Sequence, residues 1–455
     1  MSHNADCSKV GLPTPLPLTN SEENLGEVVS DTGCFHAMYI GATDEQKRIV
    51  EEVIGMISIQ ASIATRIFYL EAPAACGMTY VQQMLRCYMN SQNRRCIVAC
   101  YTGIAASIIK GGLTLHNVFK LPVPLSETSL SDTDYQSAHA EWLRNCELLI
   151  IDEASMVPSL VLTIIDRLMR DIKQKSLPFG GIVVLFSGDF RQTLPVVPHG
   201  GRALTVEESI KRNHLWKQVR QFKLSKNMRY SEGEDDFAAH LIKVGDGCLP
   251  EGDTNVTLSS TLHQHLTGTG CPIDLVYKNI QDRIHLEDVN SAILAPRNID
   301  YTDINDKVLE RLSGKGETCF STDVVCSDET CDHLNFPTEF LNSIEMSGLP
   351  KHKLDLKKDA VVMLMQNLHT ARGLINGTRM QAVDMLHHSV ECKVLTGAAK
   401  GERVLIPRIK WSSSAGVLPF KFSRTQIPVT VAFAITINKS QGQSLSKVGI
   451  YLKNR

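Results

Sequence analysis

Between residues 66 and 189 the chain alternates short, nearly wholly apolar segments with amphipathic ones, and the apolar segments end on polar or acidic residues. RIFYLEA, CIVAC, ELLIIDEA and GIVVLFSGD read as buried strands. TYVQQMLRCYMN, GIAASII and SLVLTIIDRLMRDIKQ read as the helices around them. A strand that is apolar on both faces needs cover on both, which a parallel sheet with helices above and below provides. The expected fold class is therefore α/β. Ligands of such sheets gather at the carboxyl ends of the strands, where the polar residues of this chain fall.

A second alternating region starts at SAILAPRN, resumes at VTVAFAITINKSQGQS and ends on the strand VGIYL. The stretch of roughly 352–424 within it is rich in glycine, serine and short strand patterns, and reads as a small β insertion. Residues 1–38 include GLPTPLPLTNSEENLGE and read as a poorly packed, flexible leader. At Thr43 the pattern changes: TDEQKRIVEEVIGMI has helical apolar spacing, and Thr43 with Gln46 makes a capping box. At 455 residues the chain is long enough for more than one core, and the expected division is 39–232 and 233–455.

Charge narrows the partners only locally. With 47 Lys and Arg against 49 Asp and Glu, no protein-wide basic footprint exists, so any nucleic-acid contact must come from a local groove. The 13 cysteines are scattered without paired CxxC spacing, which fits a reducing compartment. Cys319, Cys326, Cys331 and His333 are too irregularly spaced for an expected zinc site. The most apolar stretch, 53–70, is broken by Gln60 and Arg66, so no membrane span is expected, and MSHNADCSKV does not open like a signal peptide.

Three elements carry candidate chemistry. After the first strand, Glu71 to Thr79 read EAPAACGMT, which keeps the spacing of a phosphate loop GxxxxGK[ST] but has Ala72 for its first glycine and Met78 for its lysine. Alone, this stretch is weak evidence, and an ordinary strand-to-helix turn accounts for it better. LLIIDEAS then sets Asp152 and Glu153 at a strand end, where an aspartate can hold Mg²⁺ and a glutamate can orient or deprotonate an attacking water. FSGDFRQTLPVV places Gln192 at the same sheet edge, where a neutral amide could hold a γ phosphate; a surface turn before a rigid proline loop explains this stretch equally well.

CYTGIAASIIKGGLTLHNVFKLP, IIDEASMV, PFGGIVVLFSGDFRQTLPVV, LSKNMR and TINKSQGQS follow the order and spacing of Pif-family helicases, of superfamily one. FPTEFLNSIEMSGLP, LINGTRM and RVLIPRI resemble the helicase region of Helitron transposon proteins. The similarity spans roughly 38–455. It implies two RecA-like P-loop NTPase domains, the second carrying an SH3-like β insertion, and ATP hydrolysis with Mg²⁺ coupled to 5′→3′ movement on single-stranded DNA and to unwinding at duplex junctions. It implies that Ala75, Cys76, Gly77, Met78 and Thr79 border the nucleotide, with Thr79 and Asp152 as the magnesium pair and Glu153, Gln192 and Arg229 as catalytic groups. Gln46 falls where the family contacts adenine, although the capping box accounts for it as well. Thr436, Lys439, Ser440, Gln441 and Gly442 match the motif coupling nucleotide state to DNA grip. Thr102, Gly103, His116, Phe119 and Lys120 match the segment along the single strand, where an aromatic ring stacks on a base and a cation meets phosphate. For Phe119 and Lys120 the plain alternative is a core residue beside a solvated one. The resemblance further implies a monomer acting in the nucleus.

Two departures bear on activity. Met78 cannot supply the charge that phosphoryl transfer depends on, and alanines at 72, 74 and 75 tolerate positive φ poorly. Family members continue into an Ala-Leu-Ser-Arg motif, whereas this sequence stops at Arg455. The expectation is a helicase-type protein with impaired turnover; the alternative is a pseudo-helicase that binds DNA and nucleotide, or a transposon remnant.

Overall fold

The computed structural model describes residues 32–59, 66–109, 112–123, 125–197, 200–228, 235–248, 272–277, 280, 290–325, 336–346, 348–369, 372–397, 399–412, 418 and 420–452. The N-terminal unit runs α1 (Thr32–Gly41), α2 (Asp44–Ser58), β1 (Ile67–Glu71), α3 (Met78–Ser91), β2 (Arg95–Cys100), α4 (Gly103–Ile108), β3 (Leu113–Thr114), α5 (Leu115–Val118), α6 (Ala138–Arg144), β4 (Cys146–Asp152), α7 (Ser159–Lys173), β5 (Val183–Gly188), α8 (Arg202–Glu207) and β6 (Val219–Lys223), after which α9 (Asp235–Asp246) follows in the chain. Its strands form one sheet, β3-β2-β4-β5-β1-β6, and every pairing is parallel.

Period-two alternation sorts its side chains into two cores. Ile67, Tyr69, Leu149, Ile151, Val184 and Phe186 pack on one face, against α7. Phe68, Leu70, Leu148, Ile150, Val183 and Leu185 pack on the other, against α2 and α3. Helix α7 presents Val161, Leu162, Ile165, Leu168, Met169 and Ile172 to its core at helical spacing. Each such side chain contributes about 1.5–3 kcal/mol when fully buried. The leader expectation needs correction at its end, because residues 32–38 belong to α1. Phe35 and Met38 are apolar on one helical face and pack against the same core as α3. Residues 1–31 lie outside the described residues.

The C-terminal unit runs α10 (Pro272–Val276), β7 (Ser291–Ala295), α11 (Asn298–Arg311), β8 (Gly316–Phe320), β9 (Thr322–Val325), α12 (Thr338–Asn342), β10 (Lys353–Lys357), β11 (Val361–Leu364), β12 (Arg379–Leu386), β13 (Ser389–Val394), β14 (Arg403–Pro407), β15 (Ile409–Ser412), β16 (Phe422–Gln426), β17 (Val429–Val431), β18 (Ala434–Thr436), α13 (Ile437–Ser440) and β19 (Lys447–Ile450). A parallel sheet β18-β7-β19 carries an antiparallel sheet β14-β13-β12-β11-β17 and two smaller antiparallel pairings, β15-β16-β9 and β10-β8. The β pairing thus extends on both sides of 352–424, since β8 and β9 return to pair with β10 and β16, and β17 closes on β11.

Candidate active site

The loop between β1 and α3 is shaped like a phosphate cradle. Gly77 (φ +84) is the residue before α3, and Ala75 also sits at positive φ (+68); neither Ala72 nor Ala74 does. A Cβ on Gly77 would lie 2.4 Å from Gln46 Nε2, so a side chain there would be strained by the positive φ and would have to displace Gln46. Gln46 is buried: its Oε1 accepts from the Thr43 N–H (3.0 Å) and its Nε2 donates to the Cys76 carbonyl (3.4 Å). Both ends of the amide are engaged within the protein, one in the capping box and one on the loop. The Met228 N–H and the Asn227 amide hold the Ala75 and Ala74 carbonyls from the other side, at 2.9 and 3.0 Å. The Met78 side chain packs on the apolar core under α3, while Thr79 is exposed.

Opposite the loop, Asp152 ends β4 at 8% exposure. Its Oδ1 accepts from Gln82 Nε2 (2.7 Å) and Ser187 Oγ (2.9 Å), and burial raises its pKa against those two bonds. Gln82 stands one turn after Thr79 on α3, so the helix that bears the exposed hydroxyl also holds the buried carboxylate. With β5 between β1 and β4, the two strand ends are about 10 Å apart. Gln82 and Ser187 carried no motif; a polar residue on the inward face of an amphipathic helix was the available signal.

Glu153 follows in a left-handed conformation (φ 52), which turns its carboxylate out of the strand line. Burial pushes its pKa up to about 7, with the neighbouring Asp152 charge adding to the shift. Gln441 of the C-terminal unit donates Nε2–H to Glu153 Oε2 at 2.7 Å. The resemblance places Gln441 in the motif coupling nucleotide state to DNA grip, and its amide bonds to the carboxylate at the end of β4. Gly442, at φ +78, makes the turn after it. Ser440 Oγ donates to the Ile437 carbonyl (2.7 Å), and burial lowers the Lys439 pKa; Thr436 precedes α13 as its cap.

Gln192 is exposed beside Asp189, whose carbonyl accepts its N–H (3.0 Å). Next to it, Arg191 pairs with Asp189 (3.0 Å), Glu71 (3.1 Å) and Asp246 (2.7 Å), tying β5, β1 and α9 together. Arg229 lies outside the described residues. Thr102 caps α4, accepting from the Ala105 N–H (3.3 Å), with Gly103 as the first helical residue. The half-buried His116 ring stands 5.7 Å from Tyr101, and burial lowers its pKa. Lys120 is exposed. Phe119 requires a correction. It is 1% exposed within the core against α7, so its ring cannot stack on a base; its apolar bulk completes that core instead.

Two family models match this chain: the PIF1-like helicase model over residues 41–255 and the 2B domain of DNA helicase Pif1 over 339–385. The chain belongs to the Pif1-like helicase family. It is 26% identical to the human ATP-dependent DNA helicase PIF1 over 78% of this chain, and 28% identical to the Pif1 helicase of Bdellovibrio bacteriovorus over 75% of it. The chain spans half the length of the human relative and 69% of the bacterial one. Solved Bacteroides Pif1 structures share the fold: one bound to ssDNA (TM-score 0.63, 24% identity) covers 90% of this chain and 85% of its own. One in complex with ADP-AlF3 and ssDNA (TM-score 0.64, 23% identity) covers 91% and 87%. The Pif-family resemblance and the α/β class expected from sequence both hold. Among the described residues no helix is long and apolar enough to cross a membrane.

Proposed function

We propose that this chain is an ATP-dependent, 5′→3′ helicase-type DNA motor core, in which nucleotide and single-stranded DNA bind between RecA-like domains of 39–232 and 233–455 and hydrolysis is strongly slowed. The carrying observation is the Glu153–Gln441 bond: the carboxylate suited to activating water is held by a residue of the opposite unit. A motor needs that arrangement, because domain closure must reach the reacting group. Nuclear location and monomeric action on single strands and duplex junctions belong to the same reading.

The donor set fits magnesium. Thr79 and Asp152 offer a hydroxyl and a carboxylate, hard oxygens of the kind Mg²⁺ takes alongside nucleotide phosphates. When bound, the ion would neutralise phosphate charge. The chain's own part is to cradle the phosphates with the backbone of residues 74–79, to hold Asp152 in place through Gln82 and Ser187, and to position a water at Glu153. Gln192 and Arg229 would complete the γ-phosphate end, and Thr102, Gly103, His116 and Lys120 the DNA side.

Met78 sets the rate. A methionine side chain turned into the core supplies no charge to the transition state, where one well-placed cation is worth roughly 10³–10⁵ in rate. DNA-stimulated phosphate release is expected near background, while a fluorescent ATP analogue still binds in the presence of Mg²⁺. Met78→Lys should tighten that binding at least about tenfold, since a unit charge pair at 4 Å near a protein surface is worth about 4 kcal/mol. Fast DNA-dependent turnover by the unaltered chain would overturn the slowed motor. Failure to bind nucleotide in either form would overturn the site.

A further inference from the structure

Helix α1 is laid along α3, the helix that starts at the phosphate loop, and three contacts fix its register. The Phe35 and Tyr88 rings meet edge-on at 5.3 Å. Tyr80 Oη donates to the Met38 carbonyl at 2.7 Å. Between them, Cys34 Sγ and Cys87 Sγ stand 2.7 Å apart, closer than two sulfurs pack without a bond or a hydrogen bond between them. Both cysteines are half-buried, within reach of a small oxidant. Cys146 makes the contrast: at 1% exposure it lies inside the core, away from any oxidant.

We propose that Cys34 and Cys87 are a reversible disulfide site which, when oxidised, closes a covalent ring around the phosphate loop. The cysteines are 53 residues apart, and the chain between them holds α2 with Gln46, then β1, the whole of residues 72–79 and the first turns of α3. The oxidant is a small disulfide. One cysteine thiolate attacks a sulfur of oxidised glutathione, releasing one glutathione thiol and leaving a mixed disulfide. The second cysteine then displaces the other glutathione, so two protein thiols lose two protons and two electrons while one disulfide becomes two thiols. The ring constrains the unfolded chain and fastens α1 to the helix that bears Thr79 and Gln82.

The test equilibrates the full chain with oxidised glutathione, blocks remaining thiols by alkylation and maps peptides without reduction. The expected result is a Cys34–Cys87 cross-linked peptide as the dominant product, with an intact mass lowered by two hydrogens and an apparent Tm raised by roughly 5–10 °C and returned by dithiothreitol. Cys34→Ala should stop at one glutathione added on Cys87, with no Tm gain. Full alkylation of both residues after oxidation overturns the proposal. So does stable glutathionylation of both, or a dominant link between other cysteines.

Discussion

Glu153 shows how one residue ties a proposed role in activating water to the stability of the fold. Its carboxyl is raised from 4.5 to about 7 by burial and by Asp152, so ionising it in the folded, nucleotide-free protein opposes folding. Below pH 4.5 the group is protonated in both states and contributes nothing adverse. As pH rises from there towards 7 the unfolded chain ionises first, and the folded state loses stability until both forms are charged. A shift of that size corresponds to roughly 3–4 kcal/mol. Glu153→Gln, neutral at every pH, should therefore match the parent in urea unfolding at pH 4 and exceed it by about that amount at pH 8. Equal midpoints at pH 8 would refute the account. Ala75 belongs to the same class of compromise: at φ +68 it holds a glycine-like conformation that costs about 1–2 kcal/mol.

Among elements, strands β9 and β16 are bound by a buried charge pair as well as by the apolar contact of Val325 with Phe422. Arg424 and Asp323 are directly paired across the strands, with side chains 1% and 0% exposed, and bond through two guanidinium nitrogens at 2.9 and 2.6 Å. The same guanidinium donates to the carbonyls of Leu341, Ile344 and Pro350, closing the α12 loop over the pair. Arg424→Met strands a buried carboxylate and should cost about 3–5 kcal/mol. Asp323→Asn in the same chain should recover much of that loss. A single-variant cost below about 1 kcal/mol in urea unfolding would mean water reaches Asp323. This pair was not legible in the sequence. FSRTQ reads as an ordinary half-polar strand, and only the return of a strand from about a hundred residues earlier supplies its partner. The N-terminal sheet was legible, because its strands are apolar on both faces and end on the residues that make the site. Phe119 marks the boundary between the two cases: an aromatic residue beside a lysine has the same letters whether the ring faces base or core, and the packing of α7 decides it.

At the scale of the whole molecule, two separately cored units meet, among the described residues, at contacts that include α4 and Gln441. The first turn of α4 packs against the loop before β12, where a Cβ on Gly103 would lie 3.1 Å from the Asn376 carbonyl. Gln441 reaches Glu153, and its Oε1 is buried without a hydrogen-bond partner. Each unit keeps its own core, so breaking the Gln441 contact should barely change unfolding, by less than about 1 kcal/mol. What it should change is the distance between the units. Donor and acceptor dyes on exposed positions such as Arg212 and Arg403 would report that distance. In Gln441→Ala the distribution should widen without nucleotide. In Gln441→Glu it should move outward above pH 7, once Glu153 is charged, and return as pH falls towards 5. If the glutamate variant keeps the parent's spacing at pH 8, the units are held by other contacts, the α4 packing among them, and the Gln441–Glu153 bond does not set their distance.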